Sequence, residues 1–173
     1  LDYTDPDVML DLWGGTSGAF DGFDRFGRTI DHRWVSYSGS PTDLDRYQYG
    51  YDRNSNRLWK QNMVAVTNFD EQYTVDNLSR LTQMKRGTLN GSHVIPGTPG
   101  RQQDWTLDPV GNWNVFATRT SGTLDLNQGR TTNTVNEITN ISTASFPLPL
   151  WATPSYDAAG NMTAFVKPSN PTT

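Results

Sequence analysis

Sixteen aspartates dominate the side chains able to do chemistry, against two glutamates, two histidines and no cysteine. Paired carboxylates are the acid and nucleophile of glycoside hydrolysis. Close-set carboxylates also suit Ca²⁺ where backbone carbonyls complete the shell, and Asp5/Asp7/Asp11 and Asp43/Asp45 offer such runs. Neither run matches an EF-hand loop, so no cofactor is expected, with Ca²⁺ the alternative. A histidine-based triad would need His32, beside Trp34, or His93, in a Gly/Pro-rich stretch. Both are expected to be surface or satisfied side chains. The chain has no G-x-S-x-G, no phosphate loop, no G-x-G-x-x-G and no H-E-x-x-H. The aromatic residues Trp34, Tyr37, Tyr47, Trp59 and Trp113 offer a sugar-stacking platform, with Trp34, Trp59 and Trp113 as its core. Burial against the sheet is the competing fate of these rings.

The elements that would position these groups follow from composition. The chain has 173 residues, net charge −4, 34% apolar and 18% charged residues. One domain, or a piece of a larger one, is expected. Threonine, asparagine and serine number 22, 14 and 12, while lysine numbers three. Such residues favour turns, caps and strands over helix interiors, which argues against a helical bundle, a coiled coil or an ordinary α/β enzyme. Twenty aromatics argue against wholesale disorder. No apolar run is long enough for a membrane-spanning helix. Zero cysteine excludes a disulfide framework, and the acidic balance argues against a nucleic-acid groove. Leu1 and Thr173 fall mid-phrase, so a fragment of a longer protein is expected.

One phrase recurs: an apolar or aromatic residue, Asp, two variable residues, a small residue, then Asn or Arg. It reads Phe23-Asp24-Arg25-Phe26-Gly27-Arg28, Tyr51-Asp52-Arg53-Asn54-Ser55-Asn56 and Val75-Asp76-Asn77-Leu78-Ser79-Arg80. It recurs as Leu107-Asp108-Pro109-Val110-Gly111-Asn112, Thr132-Asn133-Thr134-Val135-Asn136-Glu137 and Tyr156-Asp157-Ala158-Ala159-Gly160-Asn161. The Asp (Asn at 133) falls at 24, 52, 76, 108, 133 and 157, a period near 24 with insertions.

The physics of the phrase is a hairpin turn. Asp accepts the backbone N–H groups that follow it. Gly27, Gly111, Gly160 and Asn136 suit a positive φ three residues on, and a type I turn followed by such a residue closes a three-residue hairpin loop. Ser55 and Ser79 should be strained there, or use another turn. The register predicts cross-strand pairs Phe23/Thr29, Tyr51/Arg57, Val75/Leu81, Leu107/Trp113, Thr132/Ile138 and Tyr156/Met162. Tyr49, Tyr73 and Trp105 should share that face. Asp24 and Asp76 should form exposed ion pairs with Arg28 and Arg80 on the other.

Further strand-like stretches are Ile30–Tyr37, Arg57–Val66, Leu81–Leu89, Asn114–Thr120 and Met162–Val166. Residues 1–19 read as an irregular lead-in, 87–103 as a loop, 142–154 as an irregular apolar connection and 167–173 as a tail.

Residues 20–166 resemble the bacterial rearrangement-hot-spot (RHS), or tyrosine-aspartate (YD), repeat family. Tyr51-Asp52-Arg53-Asn54-Ser55-Asn56-Arg57 and Tyr156-Asp157-Ala158-Ala159-Gly160-Asn161-Met162-Thr163 carry the resemblance, which spans about six degenerate repeats. It implies an all-β chain whose antiparallel hairpins form a curved, spirally winding sheet, part of a hollow shell. It implies a secreted or surface protein that encapsulates a toxin or effector, or acts in adhesion. Asp108-Pro109-Val110-Gly111 is superficially similar to part of the family's self-cleavage motif, but Asn112 stands where that motif has Leu. The phrase is in repeat register and reads as a turn.

The expected function is therefore non-enzymatic scaffolding within a β-shell or multi-chain assembly. Partners would be other segments of the same protein or other chains meeting exposed sheet edges. The alternatives are a carbohydrate-binding module on the aromatic face and a glycoside-active enzyme using paired Asp.

Overall fold

The computed structural model describes residues 8–11, 22–65, 67–143 and 154–164. The fold is all-β and antiparallel. Its strands are β1 (Val8–Asp11), β2 (Asp31–Ser36), β3 (Thr42–Tyr51), β4 (Arg57–Asn62), β5 (Asp70–Val75), β6 (Leu81–Gly87), β7 (Arg101–Leu107), β8 (Trp113–Thr120), β9 (Thr123–Thr132), β10 (Ile138–Thr143), β11 (Ser155–Tyr156) and β12 (Met162–Ala164). From β1 to β10 each strand is hydrogen-bonded to the next in sequence, and β11 and β12 form a separate pair. No helix among the described residues is long and apolar enough to cross a membrane.

The chain divides into two compact units, residues 1–73 with 85–99 and residues 74–84 with 100–173. In the first, the order β1-β2-β3-β4 continues into residues 70–73 of β5. In the second, residues 81–84 of β6 lead into β7-β8-β9-β10.

The phrase turns close the hairpins β3/β4, β5/β6, β7/β8, β9/β10 and β11/β12. In each, the backbone N–H of the first turn residue donates to the carbonyl four residues on, as in Asp52 to Asn56 at 3.0 Å and Asp108 to Asn112 at 2.9 Å. The predicted pairs Phe23/Thr29, Tyr51/Arg57, Leu107/Trp113, Thr132/Ile138 and Tyr156/Met162 all stand opposite each other. The position three after the Asp has positive φ in every copy: 75° at Gly27, 99° at Gly111 and 81° at Gly160, but also 67° at Ser55, 61° at Ser79 and 67° at Asn136. The two serines thus keep the common turn and take the strained backbone.

A bulge follows each turn whose register is resolved. One extra residue sits six positions after the Asp, at Leu58, Asn114, Thr139 and Thr163. Where this position is threonine its hydroxyl donates back across the hairpin, from Thr82 to the Thr74 carbonyl at 3.1 Å, Thr139 to Thr131 at 3.2 Å and Thr163 to Ser155 at 3.1 Å. A bulge at a fixed place gives these four hairpins a similar local kink and added twist.

The structure revises the sequence-based boundaries. Residues 1–19, expected to be irregular, contribute β1, whose Val8-Met9-Leu10 run pairs with β2. The Leu81–Leu89 stretch leaves the ladder at Gly87, and β7 already begins at Arg101. The expected loop 87–103 hides a seventh copy of the turn. Asn90 N–H donates to the Val94 carbonyl at 2.9 Å, and His93, three residues on, has φ 56°. Leu89 and Ile95 flank this turn as the pair that one residue before and five after should make, and both are buried. Ile95 packs on Gly87, where an added Cβ would come 2.9 Å from its Cγ2. A second, two-residue turn at Ser121-Gly122, both at positive φ, joins β8 to β9. Most of 142–154 and all of 167–173 lie outside the described residues.

Among the described residues few apolar side chains are buried: Val35, Leu89 and Ile95 in the first unit, Ala117 and Ile141 in the second. Asp31, Asp70, Glu71 and Gln128 are buried beside them. Opposite Gly50 stands Trp59, whose indole covers the glycine, so that a Cβ there would fall 2.0 Å from the ring nitrogen.

Gly111→Ala should cost about 1–2 kcal/mol, because only the positive φ opposes it and no atom crowds the new Cβ. Ser55→Gly should gain about 0.5–1 kcal/mol for the converse reason. Urea unfolding of both variants checks the pair, and two shifts of the same sign would contradict a shared turn conformation.

Candidate functional site

The row of turns is the most organised part of the chain. In each turn Oδ1 of the first residue accepts two backbone N–H groups. Asp24 takes Phe26 and Arg28 at 2.8 and 3.0 Å, and Asp108 takes Val110 and Asn112 at 2.9 and 2.8 Å. Asp52, Asp76 and Asp157 repeat this, as do Asn90 and Asn133. The second oxygen takes the side chain four residues on: Arg28 at 2.6 Å, Asn56 at 2.8 Å, Arg80 at 2.7 Å, Asn112 at 2.9 Å and Asn161 at 3.0 Å. At Asn133 the polarity is exchanged: its amide donates to Glu137 Oε2 at 2.7 Å.

In three copies the residue four after the Asp also reaches a later turn. Arg28 Nη1 donates to the Asp52 carbonyl at 2.8 Å, and Arg80 Nη1 to the Asp108 carbonyl at 2.7 Å. Asn112 donates to Asn136 Oδ1 at 2.9 Å. The Asp24–Arg28 and Asp76–Arg80 ion pairs form at 2.6 and 2.7 Å as expected. They are half-buried rather than exposed, because each arginine continues across to its neighbour. The tyrosines of the phrase also reach back: the Tyr51 hydroxyl donates to the Thr29 carbonyl at 2.9 Å, and the Tyr156 hydroxyl accepts the Ile138 N–H at 3.1 Å.

The position two after the Asp carries a signal that the sequence held but the turn pattern did not use. It is Phe26, Leu78, Val110 and Val135, exposed by 66%, 67%, 73% and 69%. Turn tips are ordinarily polar, so exposed apolar residues repeated at one position depart from the usual chemistry of such loops. In the second unit Leu78, Val110 and Val135 top successive turns.

The expected ligand-stacking aromatics have different surroundings. Trp59 is stacked on His93, 3.9 Å between centroids and 5° between planes, and its ring covers Gly50. His32 stacks on Tyr49 at 5.6 Å and lies 5.8 Å from Tyr47. Trp34 lies on β2, opposite Leu10 and Asp45. Trp113 is 43% exposed, with Trp105 edge-on at 6.0 Å and Phe116 at 5.6 Å.

The carboxylates are tied by donors. Asp31 takes Arg46 and Gln48, and Asp43 bridges Arg33 and Arg46. Glu71 takes Lys60, Arg86 and the Tyr73 hydroxyl, and Asp104 takes Gln83, Gln102 and Arg119. Asp5 and Asp7 lie outside the described residues. Among the described residues no group of three metal-ligating side chains converges. No protein-family model matches the chain, and no curated protein matches it.

The turn aspartates are more acidic than an ordinary carboxylate. At Asp52, Asp108 and Asp157 the chief cause is the side-chain amide four residues on, and at Asp76 the Arg80 backbone N–H. At Asp24 burial acts upward, and the Arg28 and Phe26 donors outweigh it. A folded-state value below the unfolded one gives stability that is complete above the ordinary value of 3.8 and is lost as pH falls through the depressed values. Urea unfolding from pH 6 down to 2 should show this acid limb. Asp108→Asn should make it shallower; a limb identical to the parent's in this variant would refute the linkage.

Proposed function

We propose that the chain is a non-enzymatic structural segment of a secreted or surface β-repeat protein of the RHS/YD kind. Its role is to form part of a shell or multi-chain assembly that encloses or presents cargo or mediates adhesion. The observation that carries this is the bond by which Arg28, Arg80 and Asn112, each the fifth residue of its turn, reach a later turn. It makes one hairpin the template for its neighbour, which is the requirement for a sheet extended by repetition. The exposed apolar tips and, among the described residues, the small number of buried apolar side chains support it, since both leave surface that further protein would cover.

Limited proteolysis with mass spectrometry of the native parent protein tests the proposal. A protease-resistant particle containing this chain with other segments is expected. A stable free monomer of this chain in the native source would overturn it.

The apolar tips make a second test. Leu78→Ser, Val110→Ser and Val135→Ser together should disperse the assembly on sedimentation while changing the unfolding midpoint little. Unchanged particles would remove the tips from the contact surface.

A further inference from the structure

All eleven arginines lie among the described residues, and their partners sort them. Arg28, Arg33, Arg46, Arg80, Arg86 and Arg119 each meet a carboxylate. Arg25, Arg53, Arg57 and Arg101 are exposed to water. Arg130, on β9, fits neither class. It is half-buried, its Nε donates to Gln128 Oε1 at 2.8 Å, and its guanidinium lies 5.1 Å from the Trp113 ring centre. Among the described residues no carboxylate reaches it. A cation withdrawn from water without a counter-charge is costly, and burial does pull the Arg130 pKa below its ordinary value. A guanidinium stays charged regardless.

Arg130 lines a groove of about 310 Å³ with Asn112, Trp113, Thr132, Asn136 and Ile138. Asn112 spends its amide nitrogen on Asp108 and Asn136, which leaves its oxygen without a partner among the described residues. Asn136 accepts that bond, and among the described residues its own NH₂ has no partner. The groove therefore offers a guanidinium with open Nη donors, an amide oxygen, an amide NH₂ and a partly exposed indole. Its volume is at the small end of ligand clefts.

We propose that this groove binds a carboxylated sugar, with the carboxylate on Arg130, the ring against Trp113, and the hydroxyls on Asn112 and Asn136. A planar indole beside scattered neutral amides fits a polyhydroxylated ring, which has an apolar face and many hydroxyls. A phosphate-backbone ligand would need several cations, and the groove supplies one. An acidic peptide would be recognised by its charge alone and would leave the amides unmatched. This site is independent of the scaffolding role, since a shell segment can carry it or lack it.

The test is titration calorimetry of the whole chain with two matched pairs, 3′-sialyllactose against lactose and trigalacturonate against a neutral galactose trimer. At least one acidic member should bind about tenfold or more tightly than its neutral partner, as expected for a charge-assisted bidentate contact. Arg130→Gln should bring the acidic sugar down to the neutral level, while Arg130→Lys keeps part of the preference. Circular dichroism and the unfolding midpoint establish that both variants fold. Equal binding within both pairs, absence of binding by the parent chain, a preference unchanged in Arg130→Gln, or tighter binding of a triglutamate peptide would each overturn the proposal.

Discussion

A single oxygen that accepts two backbone N–H groups organises this chain. In an isolated hairpin the first turn costs conformational entropy before any ladder bond repays it. Oδ1 of the leading Asp or Asn closes that turn from within, using donors that the short loop would otherwise expose. Everything downstream is measured from this residue: the positive φ three later, the linking side chain four later, the facing pair at one before and five after, the bulge at six. The constraint is on geometry more than on charge. Asn133 and Asn90 accept the same two N–H groups as the aspartates, and at Asn133 the side-chain bond persists with donor and acceptor exchanged onto Glu137.

Much of this was legible because it is local. Register follows from the turn type, so five cross-strand pairs could be named from the sequence. Ser55 and Ser79 break the glycine rule but not the turn, since a small polar residue bears positive φ at a tolerable cost. The Asn90 copy is not legible because Asn90-Gly91-Ser92-His93-Val94 lacks the Asp and the linking Asn or Arg, and puts His93 where the other copies have Gly, Ser or Asn. Its flanks, Leu89 and Ile95, keep the pattern, and they are buried where those of the other copies are half-buried or exposed. Longer-range facts were not legible. Spacing cannot say that Arg28 reaches Asp52 or that His93 lies over Trp59, because these depend on how neighbouring hairpins stack. The apolar tips at Phe26, Leu78, Val110 and Val135 were on view in the sequence, but the turn pattern treats that position as variable.

The interior is held by charge as much as by apolar contact. Asp31 with Arg46 and Gln48 ties β2 to β3. Glu71 gathers Lys60 of β4, Arg86 of β6 and the hydroxyl of Tyr73, whose pKa burial and Glu71 both raise. In the second unit Asp104 gathers Gln83 of β6 and Arg119 of β8. In each cluster a β-strand carboxylate is shared between strands. Such clusters add little net energy over an apolar core, but each is satisfied in one register only. A slip by one residue would turn the carboxylate to the other face and leave its arginine unpaired. A repeat chain whose hairpins all carry similar turns is prone to such slips, and the clusters distinguish one hairpin from the next.

The same logic separates the tryptophans. Trp59 stands opposite Gly50, the residue with no side chain to pack, and His93 from the hidden turn closes its other side. That ring completes a local surface, as aromatic partners of strand glycines do. Trp113 shares the company of Trp105 and Phe116 but keeps 43% of its area exposed, and among the described residues the cation beside it has no carboxylate of the kind that six other arginines meet. Stability alone would favour an acid near Arg130, and this chain places acids beside six other arginines without difficulty. An exception at one half-buried cation, next to one exposed indole and two uncommitted amide groups, is the pattern of a site whose counter-charge arrives from outside.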